Sequence, residues 1–194
     1  MAKITTRQLV LISLLTAIVF ALQFMGAFVR LGPFAVSLVL MPIALGAALE
    51  GPWAGGWLGL MFGVAVLITG DAAVFMPIDP FGTVLVVLLK GALAGFVAGL
   101  VYRLLVGKNK LAATGLMAAT VPIINTGLFI AGVYVFFLPA VTEWGVAAGF
   151  TRVTEFIFLG MIGANFFVEF ALNIIFIPII LRLIRIREST SKRG

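Results

Sequence analysis

The sequence predicts an all-α integral membrane protein, a bundle of six transmembrane helices with the N- and C-termini in the cytoplasm. Three observations carry that reading. Hydrophobic residues fill 63% of the 194 positions and charged ones only 10%, against about half and about a quarter in soluble domains. The apolar runs approach the ~20 residues that cross hydrocarbon, and they are continuous rather than alternating, as helices are and barrel strands are not. Basic residues cluster on one side of the runs. With a mean hydropathy of +1.26, the backbone must satisfy its hydrogen bonds inside lipid, which only helices or closed barrels achieve.

Lys3 and Arg7 precede the first run, over about 8–26. It has the positive start of a signal peptide but no small-residue cleavage pattern, so it reads as a retained helix. Arg30, Gly32 and Pro33 then interrupt the chain. A second, shorter helix is expected over 35–50 with Pro42 inside it, and its brevity also fits a tilted or partly re-entrant segment. Gly51-Pro52 turns the chain tightly into a third helix over 53–70. Asp71 to Gly82, with Pro77, Asp79 and Pro80, reads as a polar turn too irregular for lipid. Further helices are expected over 83–105, 113–137 and 155–184, the last followed by a basic tail. The connection over 138–154, with Pro139, Glu143, Trp144 and Arg152, is expected to include a short interfacial helix. Without a repeat or a soluble insertion, residues 1–194 read as a single transmembrane domain.

Orientation follows from Lys and Arg, which are retained on the cytoplasmic side. With the N-terminus inside, Lys3, Arg7, Arg103, Lys108, Lys110, Arg182, Arg185, Arg187, Lys192 and Arg193 are all cytoplasmic, and Arg30 and Arg152 are outside. The outer loops hold Asp71, Asp79, Glu143 and Glu155.

Composition also removes whole classes of function. There is no cysteine and no histidine, which excludes thiolate and imidazole metal sites and most nucleophile chemistry, so no catalytic or metal-binding residue is assigned. The net charge of +6 sits at helix ends rather than on a face interleaved with aromatics, so no nucleic-acid partner is expected. No G-x-x-x-x-G-K-[ST] loop occurs, and any dependence on ATP has to come from another polypeptide. The chain is not read as an enzyme, and it binds no cofactor of its own.

Small residues recur every four positions at Gly51, Gly55, Gly59 and Gly63 and again at Gly91, Gly95 and Gly99. Such stripes let two helix backbones approach closely, and intramolecular packing is their expected role. Lys90 is the sharpest single residue, set well inside an apolar helix. Glu169 lies likewise inside the last helix, with Asn165 and Asn173 four residues to either side and therefore on the same face. Asn125 adds an amide at membrane depth. Ionisable groups in hydrocarbon are costly and usually functional. Either Lys90 and Glu169 are an ion pair gluing two helices, or Lys90, Asn125, Asn165 and Glu169 line a polar pocket open to the exterior. The second reading is favoured, with Arg30 in a neighbouring outer loop as a further ligand contact.

These features resemble the substrate-binding S components of energy-coupling factor (ECF) vitamin transporters. The likeness spans the chain: its length, six helices, both ends inside, the Thr6-Arg7-Gln8-Leu9-Val10-Leu11 start and the Ala17-x-x-x-Ala21 motif. The resemblance implies a substrate-capture subunit in the bacterial plasma membrane, taking up a water-soluble vitamin or related small nutrient. It implies as partners a transmembrane T component, docked on Ala17 and Ala21, and two ATPases that use the ATP. Lys90, with Arg30 or Arg152 near the mouth, suits a carboxylate-bearing vitamin such as pantothenate, and Glu169 adds hydroxyl or amine contacts. The alternative is a stand-alone secondary transporter or channel with Lys90 and Glu169 as an ion or proton relay.

Overall fold

The computed structural model describes residues 5–26, 30–31, 34–35 and 37–191. Helix α1, Thr6–Gly26, buries one narrow stripe, Leu15, Val19, Gln23 and Gly26, and leaves Val10, Leu14 and Met25 outward. A helix apolar on both its inner and outer faces belongs in lipid.

The second expected helix begins later than its hydropathy suggests. Strand β1, Arg30–Leu31, pairs antiparallel with β2, Phe34–Ala35, in the register Arg30↔Ala35 and Leu31↔Phe34. Ladder pairing therefore takes Ala35, and helix α2 runs only from Leu40 to Glu50. Eleven residues rise about 16 Å at ~1.5 Å each, roughly half of a ~30 Å hydrocarbon layer. This element does not span by itself. Pro42 lies in its first turn, where a missing N–H costs no helical hydrogen bond.

Gly51, at φ 90°, turns the chain into helix α3, Pro52–Thr69, with proline at its start. Helix α4, Pro80–Leu105, runs antiparallel to it. Gly55 lies against the carbonyl of Gly95, and Gly59 against that of Gly91. A methyl group at any of the four would run into opposing backbone, so the expected role of these stripes in intramolecular packing is observed.

The segment between α3 and α4 is wound rather than irregular. Gly70 ends α3 at φ 76°, and successive turns follow, with Ala73 N–H donating to Gly70 O at 2.9 Å and Ile78 N–H to Phe75 O at 3.1 Å. Helix α4 then starts at Pro80, ahead of the expected 83, because the Asp79 carboxylate accepts the Gly82 N–H at 2.8 Å. Aspartate before a first-turn proline is a strong helix start. Asp79→Ala is expected to cost about 1 kcal/mol, read as a lower midpoint of thermal unfolding in detergent.

Asn109 caps helix α5, Lys110–Gly132, in the same way, accepting from Ala112 N–H at 3.0 Å. The chain continues without a break through a π-helical turn, Val133–Phe137, into helix α6, Leu138–Ala147. The expected interfacial helix is thus the end of one 38-residue rod, about 57 Å long, which overshoots a ~40–45 Å bilayer including headgroups. Pro139 does not stop it because it falls in the first turn after the π segment.

The last expected helix, over 155–184, is broken instead. Helix α7, Val153–Glu155, leads into a π turn, Phe156–Met161, and then helix α8, Gly163–Ile175, and helix α9, Ile177–Ser191. At the first break, a Cβ on Gly163 would meet the Phe158 carbonyl oxygen at 2.6 Å. At the second, Pro178 belongs to the opening turn of α9, where its missing N–H is tolerated.

The polarity of α8 is inside out. Its buried residues are Asn165, Glu169 and Asn173, while Phe167 and Ile175 are 69% and 67% exposed. Such a helix is stable only where the surroundings are apolar. Among the described residues, five stretches are long and apolar enough to cross a membrane: Thr6–Gly26, Pro52–Thr69, Pro80–Leu105, Lys110–Ala147 and Gly163–Arg187. Five of the six expected helices correspond to these stretches, and the second, α2, is as short as its sequence suggested.

The main core packs Leu15, Val19, Ile43, Leu58, Phe62 and Met117 at mid-bundle. A smaller cluster, with Phe75, Val133, Phe137 and Ile157, sits where α3 ends and α4 and α8 begin. At the opposite end, Arg187 of α9 pairs with Glu50 of α2 at 2.8 Å, the carboxylate side chain being only 2% exposed. Removing one partner of a buried pair strands the other charge. Arg187→Ala is expected to destabilise by roughly 3 kcal/mol, with Glu50→Gln in the same chain recovering part of the loss in detergent unfolding.

Candidate functional site

One helical face after another is turned toward the same space. On α4, Thr83, Val86, Val87 and Lys90 follow the spacing that stacks side chains on one face. Ile162, just ahead of α8, and Asn165, Phe166 and Glu169 on it repeat the pattern. Helix α5 contributes Asn125, Thr126 and Phe129, α3 contributes Phe62 and Val66, and α1 contributes Gln23. Together they enclose a cavity of about 90 Å³, closed over by Asp71, Ala72 and Phe75 of the wound turn. This is the pocket end of the bundle.

The structure thus brings together Lys90, Asn125, Asn165 and Glu169 from α4, α5 and α8. The Lys90 Nζ lies between two rings, 5.8 Å from the centroid of Phe62 and 5.4 Å from that of Phe129. Ring faces attract a cation without consuming its N–H donors. Lys90 and Glu169 share the cavity without forming an ion pair, the described pairs being Arg152 with Glu155 and Arg187 with Glu50. The glue reading therefore loses its geometry. Glu169 and Asp71 are the carboxylates near enough to act on the Lys90 charge through space.

Glu169 is 5% exposed, and its Oε1 accepts the backbone N–H of Ser37 at 2.9 Å. That bond ties the segment entering α2 to the wall of the cavity. One turn further along α8, Asn173 donates through Nδ2 to the Glu169 carbonyl at 2.9 Å. It is buried but does not line the cavity. Asn125 is 4% exposed and its Oδ1 has no hydrogen-bond partner. A buried amide oxygen left unmet costs on the order of 1–3 kcal/mol, a cost that a donor placed in the cavity would remove.

A family model described as ECF transporter, substrate-specific component, matches residues 7–181. The chain belongs to this family. No curated protein and no solved structure matches it. The match runs from the start of α1 into α9, so it takes in every element of the cavity. As a member, this S component is a multi-pass membrane protein and the substrate-binding subunit of a transporter, and the family is not one of enzymes.

Other expected residues of the S component fall elsewhere. The Arg30 side chain lies outside the described residues. Arg152 is at the surface, 4.0 Å from Glu155, and is not part of the cavity wall. Ala17 and Ala21 are exposed on α1, turned away from Leu15, Val19 and Gln23.

The cavity also holds polar residues that sequence reasoning passed over. Gln23 is 3% exposed; its Nε2 donates to the Asp71 carboxylate and, at 3.2 Å, to Thr69 Oγ1. An amide inside an apolar run was a visible signal that this helix touches something polar. Asp71 carried no such signal, since it becomes part of the wall only when the turn after Gly70 folds back. Ser37 offers a backbone N–H, which side-chain chemistry does not reveal.

Proposed function

We propose that this S component captures a water-soluble vitamin or a related small nutrient at the pocket end, facing the cell exterior. It then passes the nutrient inward with a separate T component and two ATPases. The observation that supports the reading is the convergence of Lys90, Asn125, Asn165 and Glu169 on one cavity in a protein otherwise built for lipid. Pockets of this kind, apolar with a few convergent polar groups, are where small ligands bind. Lys90 suits a carboxylate on that nutrient, as pantothenate carries, and Glu169 suits a hydroxyl or amine.

Orientation is supported by charge. Arg7, Arg103, Lys108, Lys110, Arg182 and Arg185 are exposed at the end opposite the cavity, which supports a cytoplasmic position for that end. The whole chain acts as one transmembrane domain of the bacterial plasma membrane. It hydrolyses no ATP itself, and the energy enters through its partners.

Reconstitution tests this. Proteoliposomes holding the chain alone are expected to bind nutrient tightly without accumulating it, and uptake is expected only when T component, ATPases and ATP are added. Accumulation driven by an ion gradient in the chain alone overturns the reading in favour of a secondary transporter.

The T component docks on α1 in this proposal, where Ala17 and Ala21 leave a shallow exposed strip that a partner helix can approach closely. Ala17→Trp is expected to spare nutrient binding and to abolish co-purification with the T component. A complex of undiminished yield removes Ala17 from the docking surface.

A further inference from the structure

The polar groups of the cavity are of opposite kinds and stand on different helices. Lys90, on α4, presents ammonium N–H donors between the rings of Phe62 and Phe129 and, among the described residues, has no ion-pair partner. Asn125, on α5, presents an Oδ1 that is buried and accepts nothing. Glu169, on α8, presents a carboxylate, an acceptor-only group, with Oε1 engaged by Ser37 N–H. A ligand with only an anionic group answers Lys90 and leaves Asn125 Oδ1 unmet. A ligand with only N–H donors answers Asn125 and Glu169 and leaves the ammonium dry.

The walls restrict shape as well. Phe62, Phe75, Phe129, Phe137 and Phe166 line the cavity, and ring faces favour a flat partner stacked or set edge-on. Its volume of about 90 Å³ is below the ~150 Å³ that admits benzene in an engineered cavity. Even one ring therefore pushes the walls apart slightly, and a long flexible chain or a multi-ring body pushes much further.

We infer that the ligand is a compact bipolar solute: an anionic oxygen group meets Lys90, an amine or amide N–H meets Asn125 Oδ1 and Glu169, and a flat ring packs between the phenylalanines. This rests on the capture reading above and narrows its substrate class. It excludes simple monocarboxylates, and it ranks an open-chain acid such as pantothenate below a ring-bearing one.

The test is equilibrium binding to the full chain in detergent, with defined probes. The three aminobenzoates carry both ends on a ring; benzoate carries the acid alone, 4-aminobenzamide the donors alone, and pantothenate both polar ends without a ring. The bipolar ring probes are expected to bind roughly 10- to 100-fold more tightly than the single-ended ones, the penalty of one unmet buried group. Asn125→Leu is expected to collapse the preference for aminobenzoate over benzoate while leaving benzoate binding in place. Lys90→Met is expected to collapse the preference over 4-aminobenzamide instead. Ratios of this kind do not shift when a variant is only partly folded, and Asn125→Asp, of nearly the same shape, serves as a second variant that keeps an acceptor and the preference.

Equal affinity for benzoate and the aminobenzoates overturns the inference. So does tighter binding of pantothenate, or a failure of every bipolar ring probe to bind at millimolar concentration. In those cases continued assembly with T component and ATPases leaves the capture reading standing, whereas loss of assembly as well removes both.

Discussion

Lys90→Ala is expected to weaken nutrient binding by at least about 100-fold while the chain stays folded and inserted. A hydrogen bond to a charged group contributes about 1.5–3 kcal/mol, and a lone ammonium facing an anionic ligand across an apolar cavity belongs at the top of that range. Stability is expected to move the other way. Among the described residues Lys90 forms no ion pair, and its interactions with Phe62 and Phe129 only partly offset the cost of keeping a charge at membrane depth. Alanine removes that cost, so thermal unfolding in detergent is expected at an unchanged or higher temperature. A residue kept against the interest of stability is kept for binding. Unchanged affinity in the variant would return Lys90 to a structural role, and a parallel loss of affinity and folded yield would leave its assignment to binding without support.

Gly59→Leu is expected to be the most damaging substitution for folding. Helices α3 and α4 meet backbone to backbone, and a Cβ at Gly59 would fall on the Gly91 carbonyl, with no flexible side chain in between to yield. Overpacking against side chains costs about 1–3 kcal/mol, and against backbone more, because whole helices must separate. Lys90 sits beside Gly91, so separation would also move the ammonium away from Phe62 on α3. Loss of both monodisperse protein and binding is the expected readout by size-exclusion chromatography and ligand titration. Gly127→Ala is the control, since nothing lies within 4 Å of a Cβ there; it is expected to be neutral or slightly stabilising, alanine being the better helix former. Normal behaviour of Gly59→Leu would mean that the α3–α4 contact is not what holds Lys90 in place.

Much of this was readable from residues alone, for identifiable reasons. Glycines at a spacing of four announced a close helix pair, and the partners proved to be each other. Lys90 and Glu169 stood out because charge in an apolar run is rare and expensive. Asn165 and Asn173 joined Glu169 through helical periodicity, although only Asn165 reaches the cavity. Other features were legible in hindsight: Asp79-Pro80 and Asn109 are ordinary helix starts, passed over because they lie in polar connections ahead of the apolar runs. The strand pair ahead of α2 was hidden, because two residues per strand are too few to show an alternating pattern. So were the π turns at Val133–Phe137 and Phe156–Met161, which change hydrogen-bond register without changing composition.

Composition and periodicity by themselves determined that the chain lives in lipid, that it is helical, and which faces carry polar atoms. These are properties of segments, set by transfer free energy and a repeat of ~3.6 residues. Only the tertiary structure decided that Lys90 and Glu169 do not pair, that Asn125 Oδ1 is left without a donor, and that Gln23, Ser37 and Asp71 belong to the same wall. Those outcomes depend on how far apart helix axes stand and where turns fold back. Distances between segments are not encoded in any one of them.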